Sequence, residues 1–158
     1  MNSTTTSTLT KINIPVIKEK VFLSSKVHNF QTPPLILKGD SGATNHYLSP
    51  AAISVLKNVQ RNTNITVSLP DNSVIHSTHT GNLPLHHLSD VATQAHILPD
   101  LLNNSLLSLG QLADDGCLIL LSKQFLHVFK NFHLILKGFR NNFDGLWDVP
   151  LDGITVAA

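Results

Sequence analysis

Apolar positions in this chain gather in short runs rather than in long helical stripes. Ile65, Val67 and Leu69 alternate with Thr66 and Ser68, the period of two of a half-buried strand. Pro70-Asp71-Asn72-Ser73 follows as a turn, and Val74-Ile75 resumes the extended pattern. Residues 64–80 therefore read as a hairpin. Val91, Thr93, Ala95 and Ile97 alternate again up to Pro99. Leu83-Pro84-Leu85 reads as a further strand, confined to an edge by its proline. Leu35-Ile36-Leu37, Leu118-Ile119-Leu120-Leu121 and the runs 125–129 and 132–136 are short, apolar and bounded by polar turns. Two stretches carry helical signals. Pro50 to Leu56 follows Ser49, a capping residue, with proline at the first helical position. In 105–116, Leu106, Leu109, Leu112 and Ala113 fall near one face, and Gly116 suits a C-terminal cap. Many short strands separated by turns predict a mostly β fold, a small closed or sandwiched structure with one or two short helices.

Composition adds limits. At 158 residues the chain is long enough for one domain with a real core. Residues 1–10 are polar and of low complexity, and 1–34 read as a disordered N-terminal tail and linker. The domain is expected over 35–150, with 151–158 opening a linker to a following region. Charged residues make up 13%, against the usual share of about 25%. Net charge is +1 with no dense basic block, which argues against phosphate-driven nucleic-acid binding. Cys117 is the single cysteine, so neither an intrachain disulfide nor a multi-cysteine zinc site is available, and it reads as buried and inert. No secretory signal is visible, and no run reaches the ~18–20 apolar residues of a membrane span. A cytoplasmic location without membrane contact is the expectation. The nine histidines have poor spacing for a metal, and no metal or cofactor is expected. His46, close to the motif described next, reads as a loop brace rather than a catalytic group.

The chemistry centres on Gly39-Asp40-Ser41-Gly42, where a short apolar run leads into a carboxylate on a tight turn. Three readings compete. A nucleophilic Ser41 would need a histidine and a buried aspartate. The trypsin-like proteases that share the string carry both upstream of the serine. Upstream of Gly39 stand one histidine, His28, and no aspartate. A phosphorylation-dependent degradation signal would need a serine at position 45, which is Asn. The third reading makes Asp40 an acid–base carboxylate that works as one of a pair, because two adjacent carboxylates share one proton. Ser41 would brace the loop, and Gly42 would donate a backbone N–H at close approach. The bland alternative is an ordinary turn after a strand. One copy of the motif stands in the chain, so the second carboxylate must come from another chain.

Asp40-Ser41-Gly42-Ala43-Thr44-Asn45-His46 resembles the opening of protease domains in Ty1/copia-type retrotransposon polyproteins, members of the retropepsin-like aspartic proteases. Further matches follow in order. Ile97-Leu98-Pro99-Asp100-Leu101 is similar to a Tyr-Val-Pro-x-Leu segment, and Asn103-Asn104-Ser105-Leu106-Leu107-Ser108-Leu109-Gly110-Gln111-Leu112 to an Asn-Leu-Leu-Ser-Val-Gly-Gln-Leu block followed by an acidic pair and glycine, here Asp114-Asp115-Gly116. Asp144-Gly145-Leu146-Trp147-Asp148-Val149-Pro150 resembles the junction before the pre-integrase region.

The resemblance implies a closed β-barrel of the retropepsin type and a homodimeric endopeptidase acting on its own polyprotein, bound as an extended peptide, within virus-like particles. Asp40 would be catalytic, with Ser41, Gly42, Ala43 and Thr44 supporting its loop. Leu107, Leu109 and Gly110 would form the hydrophobic-hydrophobic-glycine segment beside it. A flap would come from the hairpin, with its tip at Pro70, Asp71, Asn72 and Ser73 or at His79, Thr80 and Gly81. The sequence departs from the family in lacking tryptophan and the usual glycines there. An acid-shifted pH optimum follows from a shared proton. A catalytically inactive β domain for self-association or peptide binding is the competing expectation.

Overall fold

A computed structural model describes residues 35–101 and 104–151. The N-terminal stretch 1–34 and the last seven residues lie outside the described part, and with them the expected tail and nearly all of the expected linker. The described chain is mostly β, with twelve strands and two short α-helices. In chain order the strands are β1 (Ile36–Asp40), β2 (His46–Leu48), β3 (Lys57–Arg61), β4 (Thr66–Ser68), β5 (Val74–His76), β6 (His79–Asn82), β7 (Gln94–Ile97), β8 (Ser105–Ser108), β9 (Leu118–Leu121), β10 (Phe125–Lys130), β11 (His133–Arg140) and β12 (Trp147–Pro150). The helices are α1 (Asp90–Thr93) and α2 (Leu109–Asp114). Ten strands form one sheet in the order β3-β6-β7-β2-β8-β1-β12-β11-β10-β9, and β4 and β5 form a separate hairpin. The end strands β3 and β9 do not pair, so the sheet is open where the resemblance implies a closed barrel.

β1 sits near the middle of the sheet, parallel to β8 and antiparallel to β12. Alternation along the strand divides the interior into two cores. Leu37, Leu107 and Val149 face a larger one that also holds Leu48, Ile97, Leu112, Leu126 and Leu136. Leu106 faces a smaller one with Ala43, Tyr47, Val67, Ile75, Leu98 and Leu101. Lys38 and Asp40 share the Leu106 side of β1 by the same alternation. Lys38 is buried there against Asp144 and Asp148, which tie the last strand to the first. Leu151 is buried, and its N–H reaches the Leu35 carbonyl at 2.8 Å, so the core runs one residue past the expected boundary.

Several predicted elements change character, each for a local reason. The 105–116 stretch is half strand. Ser105 to Ser108 are all buried between β1 and β2, and the helix begins only where the Ser108 hydroxyl accepts the Gln111 N–H at 3.1 Å. Gly116 does end it, at φ +82°, with Cys117 N–H bonded to Leu112 O and Gly116 N–H to Ala113 O. The acidic pair after it is half explained. Asp115 accepts the Ser89 hydroxyl at 2.6 Å and pairs with Lys130, fastening α1 and β10 to the helix end. Asp90 to Thr93 form a helix turn rather than strand, because the Ser89 hydroxyl caps Ala92 N–H. Pro50–Val55 is a 3₁₀ turn whose Ser49 makes no side-chain cap. Leu83-Pro84-Leu85 is a loop that sends both leucines into the larger core, and Pro84 has no N–H to offer a ladder.

β12 approaches β11 closely at Gly138. A Cβ there would stand 2.8 Å from Val149 Cγ2 and 2.9 Å from the Asp148 carbonyl oxygen. The second neighbour is backbone and cannot swing away. Gly138→Ala is therefore expected to lower stability by about 2 kcal/mol, measured as a lower urea midpoint at unchanged slope.

Candidate active site

Asp40 ends β1, beside Ser108 of β8 and one residue beyond the Gly39–Trp147 pairing with β12. Gly39 packs tightly here: a Cβ there would stand 2.6 Å from Leu126 Cδ1, so that side chain would have to shift. Asp40 is 6% exposed. Its Oδ1 accepts the Gly42 N–H at 2.7 Å. Its Oδ2 is buried with no hydrogen-bond partner among the described residues. The other buried side-chain atom in that condition is Trp147 Nε1 on the neighbouring strand. A buried polar atom is ordinarily satisfied, and one that is not asks for an explanation.

The loop after Asp40 is held from within. Gly42 donates its N–H as expected but does not use a positive φ, which among the described glycines is confined to Gly116 and Gly145. Ser41 is exposed and its hydroxyl bonds nothing within the described chain. Ala43 is buried in the smaller core, and its carbonyl accepts the Ser108 hydroxyl at 2.6 Å. Thr44 Oγ1 lies 3.0 Å from the Tyr47 hydroxyl.

His46 closes the loop and is fully buried. Its Nδ1 lies 2.9 Å from the Ser108 N–H, and its Nε2 lies 2.9 Å from the Ala92 carbonyl. A backbone N–H can only donate and a carbonyl can only accept, so the ring is neutral with its proton on Nε2. Gln111 adds a third tie. Its Oε1 accepts the His46 backbone N–H at 3.0 Å, while its Nε2 donates to Val91 O at 2.7 Å and Gln94 O at 2.9 Å. Ser108 and Gln111 are the supports that the sequence reading passed over. Ser108-Leu109-Gly110-Gln111 has the spacing of a helix capping box, and that signal was available.

Burial pushes the His46 imidazole down to about 4, with the charge of His96 adding to the effect against the favourable bond to Ala92. His96 is lowered too, by burial. An unfolded histidine has a pKa near ~6.5 and binds a proton in the window where folded His46 does not. Stability is therefore complete above about pH 6.5 and declines as pH falls, until folded His46 itself charges near 4. The loss from this ring alone is about 3 kcal/mol. Urea midpoints from pH 7 to 4 are expected to fall steadily, and in His46→Asn to fall less.

The β4–β5 hairpin packs on the loop's own core. Val67 and Ile75 point inward to join Ala43 and Tyr47. Its tip is Pro70-Asp71-Asn72-Ser73, closed by Leu69 N–H to Ser73 O at 2.8 Å. Asn72 takes the positive φ, 65°, where glycine is customary, and asparagine tolerates that region. Asp71 accepts both the N–H and the hydroxyl of Ser73, which draws its carboxyl below the usual range. His79, Thr80 and Gly81 form no tip. They lie in β6, paired with β3 and β7, and Gly81 is packed tightly there, with Lys57 O 3.0 Å from where a Cβ would stand. Leu107 and Leu109 are buried in the larger core. Gly110 is exposed, and a Cβ there would meet nothing nearer than Ser108 Oγ at 3.9 Å, so packing among the described residues does not require glycine.

Among the described residues, no group of three or more His, Cys, Asp or Glu side chains is placed to hold a metal ion, and no helix is long and apolar enough to cross a membrane. Comparison of the chain with protein-family models, curated proteins and solved structures finds no match.

Proposed function

We propose that this chain is an aspartic endopeptidase of the Ty1/copia retrotransposon type, active as a homodimer on its own polyprotein in the cytoplasm. One observation carries the reading. Asp40 is a buried carboxylate at a strand end with one oxygen held by Gly42 N–H and the other without a partner. That is half of a two-carboxylate site. A second Asp40 across a two-fold axis supplies the missing partner, since the pair shares a proton between facing oxygens. The exposed, unengaged Ser41 hydroxyl is free to bond across the same axis.

The chemistry follows from one proton on two carboxylates. The ionised member takes a proton from water as the water oxygen attacks the peptide carbonyl carbon. The protonated member gives its proton to the carbonyl oxygen, forming a tetrahedral diol. Collapse of the diol breaks the C–N bond: one diol hydroxyl gives its proton to the ionised carboxylate as the carbonyl re-forms, and the leaving nitrogen takes the proton of the other carboxyl. The pair returns to its singly protonated state with no covalent intermediate. The β4–β5 hairpin acts as the flap, its Pro70–Ser73 tip closing over an extended substrate bound as an added strand. The hairpin's packing against Ala43 supports this role. A retropepsin-type architecture is part of the proposal, supported by the central β1 with a core on each face.

The test pairs cleavage with association. Internally quenched peptides with apolar residues at the scissile bond are incubated with the full chain between pH 4 and 7, while sedimentation reports its mass. The expected result is hydrolysis that rises with the square of protein concentration below the dimer constant and is blocked by a statine-type peptide. A stable dimer or peptide binding with no hydrolysis at any pH would support instead an inactive binding domain.

A further inference from the structure

We propose that His46, in its neutral Nε2–H form, is the positioning residue of the Asp40 loop, and that charging it releases the loop. The inference deepens the protease reading and rests on it for its kinetic part. Three hydrogen bonds tie the loop from Asp40 to His46 to the β8–α2 junction, and all are made by Ser108 and Gln111. Ser108 holds the Ala43 carbonyl through its hydroxyl and the His46 ring through its N–H. Gln111 holds the His46 N–H, the Val91 carbonyl of α1 and the carbonyl of Gln94, which opens β7. The ring is what orients Ser108, because it bridges the Ser108 N–H to the Ala92 carbonyl across the buried interior. Asp40 is Ser108's neighbour in the β1–β8 register, so a shift of Ser108 is passed directly to the carboxylate.

A proton on Nδ1 turns that acceptor into a donor facing the Ser108 N–H, and two donors cannot share the site. Either the ring or Ser108 must move. Among the described residues nothing nearby offers compensation. On β7 the titratable neighbour is His96, whose charge adds repulsion. β8 and α2 present Ser108 and Gln111, α1 presents the Ala92 carbonyl, and the carboxylates of those helices, Asp90 and Asp114, are exposed to solvent. The enzyme therefore carries an acid limit that belongs to its scaffold and is separate from the titration of the carboxylate pair.

Imidazole ¹⁵N NMR on the full chain reads the tautomer without any need for turnover. The expected spectrum shows His46 Nδ1 unprotonated from pH 7 to near 4. An Nδ1–H tautomer at neutral pH, or titration near the ordinary histidine value, overturns the proposal. Two variants read the positioning. In His46→Asn the amide oxygen can take the Ser108 N–H, so kcat is expected to stay within ~10-fold of wild type and its acid limb to move to lower pH. In His46→Ala the Ser108 amide is expected to exchange with solvent ~10- to 100-fold faster and kcat to fall by a similar factor at nearly constant KM. Unchanged Ser108 exchange and kcat in a folded His46→Ala overturn the brace. Absent hydrolysis in wild type, with the expected tautomer and exchange, overturns the protease reading and leaves the brace supported.

Discussion

Asp40→Asn is expected to lower peptide hydrolysis by ~10³-fold or more while leaving the protein at least as stable as wild type. The rate falls because the proton-transfer steps need an ionisable group, and an amide can neither take the proton from water nor deliver one. The fold is kept because the asparagine Oδ1 can accept the same Gly42 N–H, while a buried charge with a partnerless oxygen is removed. Mixing the variant with wild type then tests the shared site. If dimers exchange freely, an equal mixture holds about one quarter doubly wild-type dimers, and activity per wild-type subunit drops to about half. Activity that tracks wild-type subunits alone would mean that one chain suffices, and the paired-carboxylate mechanism would fall.

The second large effect is on stability. Lys38→Met should cost about 3–5 kcal/mol, enough to unfold a marginal domain. The Lys38 ammonium meets Asp144 at 2.7 Å and Asp148 still closer, with all three side chains largely shielded from water. Methionine fills the space but leaves two like charges facing each other in the interior. The cost therefore arises from the abandoned carboxylates rather than from the lysine itself. Adding Asp144→Asn and Asp148→Asn to Lys38→Met is expected to recover most of it, because the amides can still accept Leu146 N–H and the Asn141 side chain. A triple variant no more stable than the single would refute this account. Denaturant midpoints of the three proteins decide it.

The parts of this molecule that were legible in its sequence are those fixed by neighbours along the chain. Alternation at Ile65, Val67 and Leu69 with the Pro70–Ser73 turn located the hairpin, and Gly116 located the helix end. Asp40 was legible as a candidate because a carboxylate on a turn after an apolar run is a local pattern. What was not legible depends on partners far away in sequence. Leu106 and Leu107 suit a helix or a strand equally, and burial between β1 and β2 decides for strand. Lys38 reads as a surface lysine until β12 brings Asp144 and Asp148 beside it. His79 to Gly81 have turn-forming composition, yet β3 and β7 claim them as a strand. The brace of His46, Ser108 and Gln111 spans more than sixty positions, and its local traces are the place of His46 beside the motif and the capping-box spacing.

The position of β12 also governs timing. β1 is the first described strand to leave the ribosome, yet its two neighbours are β8 and β12, the last described strand. Asp40 is thus synthesised early and set in place late, after residues near Pro150 have emerged. Such long-range pairing folds slowly compared with local hairpins. If the chain cleaves the polyprotein that contains it, as proposed, the delay acts as a clock: half a site is complete only after β12 has been made.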